Sequence, residues 1–194
     1  MDKTPTQTKS FRLDADILDA LDMESARRGT SVNNLTNQIL RKWVNFDRYL
    51  QDFGYVMFSV HDFLRGLNTL EDSTVQSIAS ETGKRFPKDL ILFTGQRNDL
   101  RTCIRFVENI ICDYMRWANY HNSSTETEYV ITLRHNYGNK WSVALESVLA
   151  AMFETNVGVK PRFTVTESTV LMTIERPEEE KTRPPADIER ASGH

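Results

Sequence analysis

The segment YVITLRHNYGNKWSVALESVLAAMFETN, residues 129–156, places a strand, a turn and a long helix in direct succession. Its first seven residues alternate between two faces, because strand side chains point to opposite sides of a sheet. Ile131, Leu133 and His135 share one of these faces. After a turn at NYGN, apolar side chains recur at helical spacing and form one inward face. The segment therefore predicts a half-buried strand followed by a strongly amphipathic helix.

Two further strands are predicted after this helix. The runs VKPRFTV and TVLMTIE flank the short turn TES and are typical of a β-hairpin. The order strand, helix, strand, strand indicates an α+β fold, in which a mostly helical domain carries a small C-terminal antiparallel sheet of three strands.

The region before the sheet predicts helices. One is expected over 73–82, ending at a glycine, and a proline then opens a short segment over 87–93. A long, deeply packed helix is expected over about 96–120. Between residues 39 and 67, apolar side chains recur at alternating spacings of three and four, which predicts another long helix with a slight kink near Asn45.

The N-terminal segment begins with a strand-like pattern in TKSFRL. The side chains of Thr8, Ser10 and Arg12 point one way, and the opposite face, with Phe11 and Leu13, is largely apolar. This alternation predicts a short strand with one polar face.

Two short helices are predicted after this strand. Asp14 caps the first, which ends at Gly29, and Ser31 caps the second. A single strand cannot satisfy its own hydrogen bonds, and two helices with one narrow apolar stripe cannot bury a core alone. A second copy would pair the strands as an antiparallel ribbon over four interlocked helices. The unit is therefore expected to form an intertwined homodimer.

The stretches KSFRLDADILDAL and RRGTSVNNL resemble the ribbon-helix-helix family of DNA-binding repressors over about residues 6–46. The resemblance implies that the polar strand face contacts base edges in the major groove, with Thr8, Ser10 and Arg12 as the contacts. It also implies that the start of the second helix clamps DNA phosphates, through Ser31, Val32 and Asn33. Arg28 adds positive charge nearby for phosphate contact, with a solvated helix end as the alternative interpretation.

The resemblance implies a sequence-specific DNA-binding transcriptional regulator, with double-stranded DNA as partner and a homodimer or tetramer as the active form. The C-terminal domain would then serve oligomerisation or the sensing of a small-molecule effector. One alternative is a small dimerisation module without DNA function. Another is an antitoxin-like protein whose C-terminal domain binds a partner protein.

A possible anion site lies in LRHNYGNKWS, where a predicted strand runs into the start of a helix. Basic side chains and backbone donors gather at such a junction, here around Arg134, His135, Asn139 and Lys140. The alternative interpretation of His135 is a histidine at the edge of the core, bonded to a backbone group.

No motif for catalysis, a cofactor or a metal is present in the sequence. The histidines are scattered without ligand spacing, so we expect no enzyme activity, no cofactor and no metal site. Aromatic residues such as Phe53, Tyr55, Trp117 and Trp141 permit an apolar ligand pocket, although a packed core that only oligomerises or binds a protein is the alternative.

Composition indicates a cytoplasmic protein that does not enter a membrane. The net charge of -3 neither supports nor excludes nucleic acid as a partner, and no apolar run approaches the length needed to span a bilayer. Cys103 and Cys112 are expected to be reduced and buried. The predicted organisation is a DNA-binding domain at 1–45, an α+β domain at 46–176 and a disordered charged tail at 177–194.

Overall fold

The chain divides into two units after Val44, each with its own internal packing. A computed structural model describes residues 7–50, 58–93 and 95–178, without the side chains of residues 92 and 93. Most of the tail predicted at 177–194 lies outside these residues. No helix in the described ranges is both long and apolar enough to cross a lipid bilayer.

The N-terminal unit is a pair of helices of equal length. Helix α1 spans Ala15–Arg28 and α2 spans Val32–Asn45. Gly29 ends α1 in the left-handed conformation, with φ 62°. The Ser31 hydroxyl accepts a hydrogen bond from the backbone N–H of Asn34 at 3.2 Å, which caps the start of α2. The predicted glycine stop and serine cap are therefore confirmed.

The predicted N-terminal strand is absent. Residues 8–13 have no strand structure, and the backbone enters α1 directly at Ala15. Phe11 and Leu13, which belong to the predicted buried face, are 71% and 49% exposed. Among the described residues this segment finds no sheet partner for its backbone groups, so the ribbon-helix-helix prediction is wrong.

The second unit begins with a helical region. A 3-10 turn at Asp47–Tyr49 follows α2, so the long helix predicted over 39–67 is interrupted; its portion at 51–57 lies outside the described residues. The remaining helices before the sheet are α3 at Val60–Asn68, α4 at Asp72–Phe93, α5 at Leu100–Arg105 and a π-helix at Phe106–Tyr114 that continues α5.

Helix α4 is a single helix, although the sequence predicts two segments there. Pro87 lies inside it and has no N–H to donate to the Gly83 carbonyl, so one backbone hydrogen bond is lost. Val75, Phe86 and Leu90 of the same helix are buried. Burial of several large side chains offsets the loss of one hydrogen bond.

Four strands form one antiparallel sheet. They are β1 at Asn119–Asn122, β2 at Glu128–Arg134, β3 at Arg162–Val165 and β4 at Thr169–Glu175, in the spatial order β1-β2-β4-β3. The central strands β2 and β4 pair along their full seven residues, whereas each edge strand has four. The predicted three-stranded sheet therefore gains β1, which replaces the end of the helix predicted over 96–120.

Helix α6 at Asn139–Val157 connects β2 to β3 and shares a core with the sheet. Ile131 and Leu133 of β2 are fully buried with Met172 of β4, and they belong to the same cluster as Leu149 and Phe153 of α6. Side chains along β2 alternate between buried and partly exposed, as the period-two pattern predicts. The α+β class is confirmed for the second unit.

Helices α4 and α6 approach each other closely at Gly83. A Cβ atom at this position would lie 2.9 Å from the carbonyl carbon of Val148 and closer still to its oxygen. These atoms belong to the α6 backbone and cannot rotate away. Glycine is required here because only its missing side chain allows the two helices this spacing.

We expect Gly83→Ala to lower the free energy of unfolding by about 2–3 kcal/mol, because the added methyl group must push two packed helices apart. The matched control is Gly66→Ala in α3, where an added Cβ meets nothing within 4 Å. The control should raise stability by about 0.5–1 kcal/mol, as alanine is the better helix former. Urea unfolding followed by tryptophan fluorescence measures both, and equal stability of the two variants would contradict the close approach.

Candidate functional site

A polar cleft lies where β2 ends. It measures about 680 Å³ and is lined by Cys112, Asp113, Arg116, Ala118, Asn119, Arg134, His135, Asn136 and Tyr137. Of the residues predicted for an anion site, the cleft contains Arg134 and His135. Antiparallel pairing of β1 with β2 places Asn119 directly opposite Arg134. The turn after β2 and the corner before β1 thus meet at one end of the sheet.

Lys140 and Asn139 do not belong to this cleft. The Lys140 ammonium donates to the backbone carbonyls of Asn68, at 3.3 Å, and Leu70, and it lies 3.7 Å from the Asp72 carboxylate. It therefore binds the connection between α3 and α4. Asn139 is exposed at the first position of α6.

His135 is a buried residue with both ring nitrogens engaged. Its Nδ1 accepts a hydrogen bond from the backbone N–H of Tyr137 at 3.3 Å, and its Nε2 lies 2.9 Å from the Ser142 hydroxyl. Because Nδ1 accepts, the proton of the neutral ring sits on Nε2 and is donated to Ser142. Burial lowers the pKa of His135. The histidine therefore holds the turn as a neutral side chain, in agreement with the interpretation as a core-edge residue.

An aromatic corner supports one wall of the cleft. The Tyr137 ring stacks on His135 with centroids 6.0 Å apart and meets Trp141 edge-on at 5.7 Å. Trp141 donates its indole N–H to the Trp117 carbonyl at 3.0 Å. Of the predicted aromatic set, Trp117 and Trp141 thus pack edge-on against each other, with ring centroids 5.4 Å apart. Phe53 and Tyr55 lie outside the described residues.

Arg116 occupies this corner with a backbone φ of 57°. Among the described residues it is the one residue other than glycine with a positive φ. The Tyr137 hydroxyl lies 3.5 Å from its carbonyl oxygen, and the following residue, Trp117, donates its backbone N–H to the Ile111 carbonyl at 3.0 Å. Neighbouring contacts thus hold the strained residue at the end of the π-helix.

The cleft contains charged side chains that have no protein partner. Within the described ranges, neither Arg116 nor Arg134 forms a guanidinium ion pair or hydrogen bond. Asp113 also lacks an ion pair there, and partial burial raises its pKa above the ordinary value of 3.8. No three His, Cys, Asp or Glu side chains in the described residues come together as a metal site.

Cys112 lines the cleft, whereas Cys103 lies on α5. Cys103 and Cys112 are unpaired and buried, as predicted. Burial raises the pKa of each thiol to about 12. Neither is a thiolate near neutral pH, so neither supplies a nucleophile.

The N-terminal unit places the predicted DNA-contact residues in other roles. Thr8, Ser10 and Arg12 are exposed on a segment that forms no strand. Arg28 donates to the Glu24 carboxylate, which also accepts two hydrogen bonds from Arg27 at 2.6 Å. Hydrogen bonds from these two arginines hold the pKa of Glu24 at about 2.

The start of α2 is a capped helix terminus. The Ser31 hydroxyl is occupied by the cap itself, and the Asn33 carbonyl accepts a hydrogen bond from the Asn37 side chain at 2.9 Å. Val32 is half-buried at the first position of the helix. These contacts are local to α2.

The N-terminal unit also exposes many apolar side chains. Among the described residues of this unit, Leu35 is the one large apolar side chain that is buried. Met23 is exposed as well, and eight further exposed side chains form what we call the apolar head residues: Phe11, Leu13, Ile17, Leu18, Ile39, Leu40, Trp43 and Val44. Those of α2 are two adjacent pairs four residues apart and therefore lie along one side of that helix. The sequence pattern predicts this apolar stripe on α2 as a buried face, whereas the structure exposes it.

Comparisons with known proteins found similarity to a solved structure. The chain matches no protein-family model and no curated protein sequence. Among solved structures it is similar to a trafficking protein particle complex subunit 3 from Naegleria fowleri, covalently bound to palmitic acid. The match covers 73% of this chain and 96% of that chain, with 11% sequence identity and a TM-score of 0.40.

The prediction of a DNA-binding transcriptional regulator is wrong, and so are its double-stranded DNA partner and the antitoxin alternative. The strand predicted to contact DNA bases does not form, and Arg28 donates a hydrogen bond to the Glu24 carboxylate in its own helix. The exposed apolar head residues therefore need a different explanation.

The buried neutral histidine predicts a pH dependence of stability. Because the pKa of His135 is lower in the folded chain than its usual value of about 6.5, the unfolded chain binds a proton that the folded chain does not. Stability should therefore be full above pH 6.5 and fall as the pH drops below it. Thermal unfolding between pH 7.5 and 5.5 measures this decline.

The control is His135→Gln, whose amide can accept from the Tyr137 N–H and donate to Ser142 without titrating. The decline below pH 6.5 should become smaller in this variant. Asp113, Arg116 and Arg134 share the cleft with the histidine. Asp113 has the opposite effect on stability, and at lower pH. Its raised pKa favours proton binding by the folded chain, which raises stability as the pH falls. An identical decline in both proteins would contradict the assignment to His135.

Proposed function

We propose that the chain is a non-enzymatic interaction subunit that associates with a second copy of itself through the apolar head residues. The observation that carries the proposal is the exposure of these side chains on a unit with a minimal core. Trp43 is 53% exposed, while Leu35 is 2% exposed. A two-helix unit that buries so little cannot be stable alone, so its exposed face requires a partner. The unpaired cysteines support a cytoplasmic location.

The energy available from covering this surface is large enough for a stable dimer. Burying a half-exposed aliphatic or aromatic side chain contributes roughly 1 kcal/mol, half the value for full burial. Eight such residues on each of two copies would contribute on the order of 15 kcal/mol. The loss of translational and rotational freedom costs about 4–15 kcal/mol. Association is thus favourable when most of the apolar head residues are covered together.

The charge pattern of the head favours a second copy as the partner. Helix α1 carries the acidic residues Asp16, Asp19, Asp22 and Glu24. Helix α2 has no acidic residue and carries Arg41 and Lys42 near its end. In a twofold dimer, α1 of one copy can face α2 of the other, and this contact then occurs twice. Opposite charges would flank the apolar contact at both places.

This proposal adopts the interpretation of the N-terminal segment as a dimerisation module without DNA function. The predicted need for a second copy rests on an unpaired strand and on the narrow apolar stripe, and the second reason does not depend on a strand. The two helices and the segment before them supply the interface. The alternative is a different partner protein that binds the same residues in place of a second copy. The following experiment distinguishes these two cases.

We expect the purified full-length chain to be a dimer by sedimentation velocity at micromolar concentration and to dissociate on dilution. Leu40→Glu should shift the equilibrium to the monomer by at least about tenfold in the dissociation constant, because a buried charge without a partner is costly. Ile78→Glu is the matched control, since Ile78 is an exposed apolar residue of α4 with 56% exposure in the second unit. The control should remain a dimer.

The dilution series of the unmodified chain does not depend on whether a variant folds. A monomer at every concentration would contradict self-association, and the apolar head residues would then belong to an interface with another protein. Equal weakening by Leu40→Glu and Ile78→Glu would place the interface outside the head. Far-ultraviolet circular dichroism of each variant shows whether the helices persist.

A further inference from the structure

The cleft beside β2 is lined by two exposed arginines. It contains two guanidinium groups, from Arg116 and Arg134, that are free of partners within the described residues. Arg162 of the same unit, by comparison, bridges Glu175 at 3.1 Å and Glu128 at 2.5 Å. Two unpaired positive groups in one concave site favour a negatively charged ligand.

The backbone at Arg116 gives a second, independent indication. A positive φ at a non-glycine residue costs on the order of 1 kcal/mol, and glycine would avoid this cost. The chain instead carries an arginine at the strained position, among the residues that line the cleft. Strain of this kind persists where surrounding contacts hold the backbone, here those of Tyr137 and Trp117, and it is common at binding sites.

The other polar groups in the cleft limit the kind of anion. Asp113 would repel a simple phosphate ion but would accept hydrogen bonds from hydroxyl or amino groups of a larger ligand. The amide groups of Asn119 and Asn136 can donate and accept. A volume of about 680 Å³ falls within the range of small-molecule sites.

We propose that this cleft binds a small hydroxylated organic anion, with its phosphate or carboxylate held by Arg116 and Arg134 and its hydroxyl groups facing Asp113. His135 acts as a positioning residue, because it fixes the Tyr137 backbone and does not itself meet the anion. The site is contained in the second unit and is independent of the apolar head residues. If the chain does not self-associate, the proposal of an anion site is unaffected. If the cleft binds no anion, the proposal of self-association is likewise unaffected.

The test uses the full-length chain at constant ionic strength, with inorganic phosphate, glycerol 3-phosphate and glycerate as probes. Intrinsic fluorescence reports binding, since Trp117 follows Arg116 directly and Trp141 contacts Tyr137. Thermal unfolding gives an independent readout. We expect saturable binding, with glycerol 3-phosphate or glycerate tighter than inorganic phosphate. The preferred organic probe distinguishes a phosphate group from a carboxylate.

Two variants remove the anion contacts. Arg116→Gly relieves the positive φ and should fold at least as well as the parent, yet weaken binding by about tenfold or more. Arg134→Gln should weaken binding to a similar degree. Arg85→Gln is the matched control, since Arg85 is an exposed arginine of α4 that does not line the cleft. It makes the same charge change and should bind as the parent does.

The variant Asp113→Asn tests the preference for hydroxyl groups. It should strengthen binding of inorganic phosphate and reduce the advantage of the hydroxylated probes, because the repulsive carboxylate becomes a neutral amide. Equal thermal stabilisation of the parent, Arg116→Gly and Arg134→Gln by every anion would be the general effect of salts on protein stability and would overturn the proposal. The absence of saturable binding at millimolar probe would overturn it as well.

Discussion

The close approach of α4 to α6 is the contact on which the second unit depends. Gly83 lets the α4 backbone lie directly against the backbone of Val148, and this spacing brings the inner faces of both helices into the same core. Helix α6 in turn packs Leu149 and Phe153 into the cluster that contains the inner face of the sheet. Protein interiors tolerate few voids, so a wider helix spacing would disturb both layers.

The same arrangement positions the aromatic corner of the cleft. Helix α6 begins at the turn that follows β2, and Trp141 in its first turn donates to the Trp117 carbonyl beside Arg116. Tyr137 is held between this tryptophan and His135. The groups that surround the two free arginines are therefore positioned by residues of the core and its edge. A ligand that binds there meets a site that is already formed, which reduces the entropy cost of binding.

The sequence allowed β2, α6 and the C-terminal hairpin to be predicted because their apolar residues recur with clear periods. It did not reveal β1, whose residues NYHN are polar and follow a long apolar helix without a break. The N-terminal strand was predicted from alternation alone, and alternation over six residues does not ensure a pairing partner. Of the cleft, Arg134 and His135 were predictable from the strand-to-helix junction. Arg116 and Asp113 were not, because β1 brings them near only after the sheet has formed, and no sequence pattern marks a positive φ at arginine.

The short outer strands of the sheet limit where another protein chain can bind. An open sheet edge offers free backbone groups to any other strand, and long edges are a common origin of uncontrolled aggregation. Here both outer strands cover only four residues of their seven-residue neighbours, and the charged pair of Lys160 and Glu154 lies just before β3. The sheet thus offers little template for the addition of foreign strands. Contacts with other molecules are left to side chains, whose size and charge can discriminate between one partner and another.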